Sequence, residues 1–357
     1  MNNLPLYHKL LAFLRQWVPT ERVTRQRNGA LLLVGLYTGR SVHLAHLVRA
    51  LPLGGQDLSL VNRLRRFLDN PRVDVGEWYR PVARWLLTFL AGQPDRLVID
   101  GTKVGFGHHL LMVGVLYRKR TLPLVWSVHR GNRGCTTAAK QIALLEQVNA
   151  LLPPHSPVSL LGDAEFGSVP LFEWLTRHGW AFVIRSKGHH MVRWPGQPWV
   201  KLKDLGLHPG ETRLVGWVHF TSKHAMDGLW LVMHWAAGED EPWYLLSPQA
   251  LSARRMIRTY RRRMWIEELF GDCKGHGFDL ETTHLRDPQR ISRLVWGVCM
   301  AFVWLITAGS WVVKRGLRRL VDCQCRRDKS YFRIGWDWVA RCLRLGAPVP
   351  IRFVPYF

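Results

Sequence analysis

Twenty consecutive residues without a charge, Leu294 to Val313 (LVWGVCMAFVWLITAGSWVV), constrain this chain more than any other stretch. A helix of that length, at ~1.5 Å per residue, matches the ~30 Å hydrocarbon core of a bilayer. It carries no polar stripe, so it either crosses a membrane or is enclosed on every side within a large domain. Arg293 and Lys314 flank it at both ends, so charge sets no orientation, and the chain has no second such segment. Enclosure is therefore expected, and 357 residues are enough to build the surrounding layers.

The charge balance says what such a chain meets. Fifty Lys+Arg against 26 Asp+Glu leave a formal charge of +24, which repels itself unless a polyanion offsets it. Nucleic acid or an anionic membrane surface meets that need, and an ordinary metabolic enzyme is a poor fit. A hydrophobic share of 47% beside 21% charged residues excludes a disordered chain. Six cysteines (Cys135, Cys273, Cys299, Cys323, Cys325 and Cys342) include no Cys-x-x-Cys pair and read as reduced cytosolic thiols. The opening MNNLPLYHKLLAFLRQWV places Lys9 and Arg15 inside its apolar pattern, unlike a signal peptide.

Five regions follow along the chain. Residues 1–93 are helical and basic. There SVHLAHLVRAL (41–51), a PLGGQ turn and DLSLVNRLRRFLDN (57–70), with Asp57 as N-cap, resemble a helix-turn-helix bearing Arg63, Arg65 and Arg66. An ordinary helical subdomain with a solvated basic face fits the same pattern, and both readings stay open. Residues 94–186 read as three strands (96–102, 109–118, 122–130), a helix (136–152), a strand (157–163), a helix (169–179) and a strand (180–186). Residues 187–248 form a β-rich insertion. Residues 249–313 hold a long helix to about 275 and then the apolar segment, and 314–357 is a basic C-terminal region.

Asp100 and Asp163 each end an apolar strand of the second region. A meander of three strands followed by a crossover helix can place the fourth strand beside the first and parallel to it. Both acids then emerge at one sheet edge, on strands ~5 Å apart. Two such acids repel, and a hard divalent cation, Mg²⁺ or Mn²⁺, offsets the repulsion. A single Asp there is more simply a cap, but two ending the first and fourth strands favour metal. The helix from 249 supplies a third acid. Tyr260, Arg263, Glu267 and Lys274, spaced three, four and seven apart, fall along one helical face, while Glu268 points about 100° away. Glu267 completes a cage, and Arg263 and Lys274 suit phosphates. Arg254, Arg255, Arg258, Arg261 and Arg262 extend the positive field.

The stretch YRRRMWIEELFGDCK (260–274) resembles the Tyr-Arg-Glu-Lys signature of a large subgroup of bacterial DDE insertion-sequence transposases. IDGT around Asp100 and GDAEFGS around Asp163 are similar to that family's other two acid motifs, although the family often has Arg where this chain has Ala164. The resemblance spans about 96–312 and is looser in the N-terminal helices. It implies an α/β fold: a ribonuclease H-like mixed sheet flanked by helices, with a β-rich insertion, an N-terminal helical domain and 294–313 as a core helix. It implies a transposase holding two Mg²⁺ ions (or Mn²⁺) on Asp100, Asp163 and Glu267. The enzyme would cleave insertion-sequence ends and join them to target DNA by hydrolysis and transesterification. Tyr260, Arg263 and Lys274 would grip double-stranded DNA, with Arg63, Arg65 and Arg66 as further DNA contacts. The partners implied are the element's terminal inverted repeats and target DNA, bound by a homodimer at the nucleoid in the bacterial cytoplasm, with no membrane. A flipped base would stack on a tryptophan of the insertion, with Trp217, Trp230, Trp235 and Trp243 as candidates.

Other residues read more simply. Asp272 lies off the motif stripe, Glu165 caps or pairs with an arginine, and His108-His109 and His189-His190 are phosphate contacts or plain surface. Two alternatives share the fold: a structure-specific nuclease such as a junction resolvase, and a non-catalytic DNA-binding descendant. Three retained acids in so basic a chain argue against the second.

Overall fold

The computed structural model describes residues 3–90, 95–131, 134, 136–224 and 226–356. Cys135 and the expected 93/94 boundary lie outside them. The N-terminal layer comprises α1 (Leu4–Trp17), α2 (Val23–Gly39), α3 (Leu44–Val48), α4 (Asp57–Asp69) and α5 (Val75–Leu90). The first expected helix of the helix-turn-helix shrinks to the five residues of α3. Asp57 is the first helical residue of α4 rather than its cap, which is Gln56.

Three strands follow, β1 (Asp95–Val104), β2 (His108–Tyr117) and β3 (Arg120–Arg130), then α6 (Ala138–Asn149), β4 (Val158–Gly162), α7 (Val169–Arg177) and β5 (Ala181–Ser186). The β-rich insertion is β6 (Met191–Arg193), β7 (Val200–Lys201), β8 (Thr212–Phe220), β9 (Met226–His234) and β10 (Trp243–Ser247). It is not a separate sheet. β10 pairs antiparallel with β5, so all ten strands join in the order β3-β2-β1-β4-β5-β10-β9-β8-β6-β7. β1 is antiparallel to β2 and parallel to β4, and β4 is parallel to β5, as the crossover through α6 requires. With helices on its flanks and a helical N-terminal layer, this is a mixed α/β sheet, the fold class expected.

Four helices close the chain: α8 (Ala253–Arg261), α9 (Trp265–Cys273), α10 (Pro288–Lys314) and α11 (Tyr331–Arg344). The long helix expected to about 275 is in fact two, α8 and α9, joined by a tight 3-10 turn at Arg262–Met264. α10 contains the apolar segment, and 94% of its most apolar window is buried. It is apolar all round because it has neighbours all round: β3 of the sheet, the N-terminal helices α2, α4 and α5, then α9 and α11. Trp296 meets Trp78 edge-on at 5.0 Å, and Phe302 stacks near Phe332 at 5.5 Å. Gly309 and Gly335 let α10 and α11 touch backbone to backbone: a Cβ on Gly309 would lie 1.9 Å from the Tyr331 carbonyl oxygen. One apolar core runs from Leu6 to Phe353, so the expected N-terminal and C-terminal regions share it with the sheet.

Candidate active site

β1 and β4 run side by side with Ile99 opposite Gly162 as their last registered pair. The next residues are Asp100 and Asp163, so the parallel pairing delivers both acids to one place. Asp100 is not at its strand's end, as expected, but in the middle. β1 continues to Val104 because β2 still pairs with it there. Asp163 follows β4 and also caps a short 3-10 turn, its carboxylate accepting the Glu165 N–H at 2.8 Å. The cap reading and the convergence of the acids thus hold together for this residue.

The turn between α8 and α9 lies over these strand ends and brings in the third acid. Arg263 donates from Nη1 to Oδ2 of Asp100 at 2.7 Å and from Nη2 to Oε1 of Glu267 at 2.6 Å. Asp100 Oδ1 accepts from the Gly101 N–H at 2.7 Å. Burial, opposed by Arg263 but reinforced by Asp163 and Glu267, pushes Asp100 up to about 7. Burial also works against the charge of Arg263, yet Tyr260, Asp100 and Glu267 raise its pKa further above the ordinary arginine value. Tyr260 is buried, its ring edge-on to Trp243 at 4.9 Å, and burial moves its phenol up to about 12. Asp163 and Asp100 both act on that phenol, so Tyr260, Arg263 and the acids share one electrostatic neighbourhood.

Lys274 stands apart. α9 ends before it, and its ammonium lies 3.6 Å from Glu281. The single stripe expected from the motif is therefore broken at both ends, by the 3-10 turn and by the helix terminus. Glu268 faces the other way, as its 100° offset requires, and pairs with Arg120 of β3 at 2.5 Å. Asp272 lies 3.4 Å from the same arginine, and burial pushes it up to about 6. On α4, Arg63 donates to Asn28 at 2.7 Å, while Arg65 and Arg66 are exposed and, among the described residues, bond only to Asn62 of their own helix. Among the four tryptophans, Trp217 is the exposed one, at 48%, and packs edge-on to its cross-strand partner Trp230 at 5.1 Å.

The three carboxylates are hard oxygen donors of the kind Mg²⁺ or Mn²⁺ takes. The rise of Asp100 shows that one guanidinium does not offset its burial and two acid neighbours. In chemistry the donor set fits a divalent cation. It does not form the closed cage expected: no three His, Cys, Asp or Glu side chains among the described residues are arranged to hold a metal. Arg263 lies between Asp100 and Glu267 instead, because adjacent carboxylates repel and a forked cation satisfies both.

Sequence reasoning passed over a cleft of about 670 Å³ beside Asp163, lined in part by Glu165, Arg185, Lys187, His189 and Lys203. A signal for it existed. β5 is the next parallel strand, with Ile184 opposite Gly162, so Arg185 emerges beside Asp163. The histidine pairs also need correction. His108 and His109 are buried at the start of β2, between β3 and β1, and the His109 ring occupies the space a Cβ on Gly101 would need, 2.0 Å away. His190 bonds Ser186 at 2.8 Å, and burial drives it down to about 4, while His189 faces the cleft.

With this geometry in hand, the family can be stated. A family model described as a transposase DDE domain matches residues 91–304, well over half the chain. The chain belongs to the DDE transposase family. Among solved structures, the cryo-EM structure of the piggyBac transposase synaptic complex with hairpin DNA aligns with 97% of this chain and 80% of its own. The sequence identity is 13% and the TM-score 0.45. Comparison with curated proteins finds no match.

Proposed function

We infer that this member of the DDE transposase family cuts the ends of a bacterial insertion sequence of the Tyr-Arg-Glu-Lys subgroup and joins them to target DNA. The observation that carries this is the meeting of Asp100 and Glu267 on one buried guanidinium, with Asp163 next to Asp100 across parallel strands. Asp100, Asp163 and Glu267 are the residues that would hold Mg²⁺ or Mn²⁺. Such ions, when bound, would supply Lewis acidity toward a phosphodiester. The chain's own contribution is to fix those acids on β1, just past the end of β4 and on α9, so that the phosphodiester binds against a preset array.

Arg263, Tyr260 and Lys274 are assigned to the DNA near the cleaved end, and Arg63, Arg65 and Arg66 to the flanking duplex. Trp217, the exposed one of the four tryptophans, is assigned to stack on an unpaired base. No covalent protein–DNA intermediate is required, and the buried phenol of Tyr260 does not suit a nucleophile. The partners are the terminal repeats and target DNA, held by a homodimer in the bacterial cytoplasm.

The test is incubation with duplexes carrying candidate ends, with Mg²⁺ or with EDTA, followed by mapping of the cut strands. Cutting is expected with Mg²⁺ only. Asp100→Ala, Asp163→Ala and Glu267→Ala should each abolish cutting while leaving end binding in a mobility-shift assay. Full cutting by any one of the three refutes the assignment. Cutting of branched DNA without strand joining would instead identify a structure-specific nuclease.

A further inference from the structure

Both carboxylate oxygens of Asp100 are engaged. Oδ1 accepts from the Gly101 N–H, and Oδ2 accepts from Arg263 at 2.7 Å. Glu267 gives Oε1 to the same guanidinium at 2.6 Å. These are charge-assisted bonds to a rigid fork. Arg263 is 9% exposed, whereas Arg261 two residues earlier faces solvent. The guanidinium is thus built into the acid cluster, and it occupies Oδ2 of Asp100 and Oε1 of Glu267, between the two acids that a divalent cation would join.

We propose that Arg263 competes with the divalent cation for Asp100 and Glu267, so that loading the cation requires the guanidinium to swing out. This rests on reading the acids as metal-holding. A guanidinium keeps its proton at any working pH, so only a rival anion can draw it away, and a DNA phosphate has that chemistry. Arg263 is then a positioning residue that sets cation affinity. A phosphate that captures it tightens cation binding, and the cation tightens DNA binding by the same factor.

The test is a Mn²⁺ titration of the full chain without DNA, with free Mn²⁺ read by electron paramagnetic resonance. Removing one partner of a buried ion pair leaves strong uncompensated charge, so Arg263→Gln should bind Mn²⁺ at least about tenfold more tightly than the unaltered protein. Arg263→Lys keeps the charge but cannot fork between two carboxylates, and should fall between them. Adding Asp100→Asn to Arg263→Gln should return binding to weak. A purely supporting role for Arg263 predicts the reverse sign, weaker binding once it is removed. Equal or weaker binding in both single variants overturns the proposal while leaving the acids as cation ligands. If Arg263→Gln does not fold, Arg263→Lys decides alone. Absence of Mn²⁺ binding in all four proteins overturns both the proposal and the metal reading beneath it.

Discussion

At the residue scale, what matters is how this chain handles carboxylates out of water. Asp100, Glu267 and Asp272 are each met by an arginine, and the two buried ones still rise, because burial outweighs a single cation. For Asp272 the consequence is measurable. Its ordinary value of 3.8 moves to about 6 in the fold. The folded state therefore keeps a proton that the unfolded chain releases as pH rises from about 4 to about 6. Stability falls across that window, and the deficit persists above it. Asp272→Asn should flatten this part of the thermal midpoint's pH dependence. An unchanged slope between pH 4 and 6 would show that Asp272 does not titrate there. The nearness of Arg263 and Glu267 was legible in the sequence because a spacing of four brings side chains together locally. The pairing of Arg263 with Asp100 was not, since it joins residues 163 positions apart.

At the scale of elements, α8 shows where local periodicity succeeds and where it stops. Met256, Ile257 and Tyr260 are buried, while Arg254, Arg258 and Arg261 form an exposed row with no ion-pair partner among the described residues. The seven helical steps from Arg254 to Arg261 carry the row over about 10 Å, a span suited to consecutive backbone phosphates. Replacing all three with Ala should weaken duplex binding and lower the slope of log affinity against log salt by roughly 3, at ~0.9 per phosphate lost. An unchanged slope would make the row a solvated face only. The break after Arg261 was not legible. A run of arginines followed by Met264 continues a helix by propensity, and the turn arises where Arg263 reaches down to Asp100. The insertion was read correctly as β-rich, but its pairing with β5 depends on contacts far apart in sequence. His108-His109 read as phosphate contacts or plain surface because adjacent histidines point to different faces, whereas both are buried on β2, which is flanked by a strand on each side.

At the scale of the whole molecule, the helical N-terminal layer and the sheet are two sides of one core with α10 between them. Arg293 on α10 donates to the carbonyls of Val73 and Leu68 in the N-terminal layer, and Arg290 pairs with Asp69 at 2.5 Å. Deleting residues 1–94 would expose Trp296 and the face of Gly297 that takes Leu32 and Leu36. The shortened chain should aggregate or lack a cooperative thermal transition, as measured by circular dichroism and light scattering. A monodisperse, cooperatively melting 95–357 fragment would instead show that residues 1–94 form an independent domain. The sequence alone determined the basic charge balance, the α/β class and the enclosed helix, and it marked the acids at 100, 163 and 267 as candidates, because charge, periodicity and motif spacing are carried locally. Only the tertiary structure decided that the insertion extends the sheet, that one arginine bridges two of the acids, and that the helical layer shares the core. Those outcomes depend on which distant surfaces meet, and the free energy of such meetings is not written in any single stretch of chain.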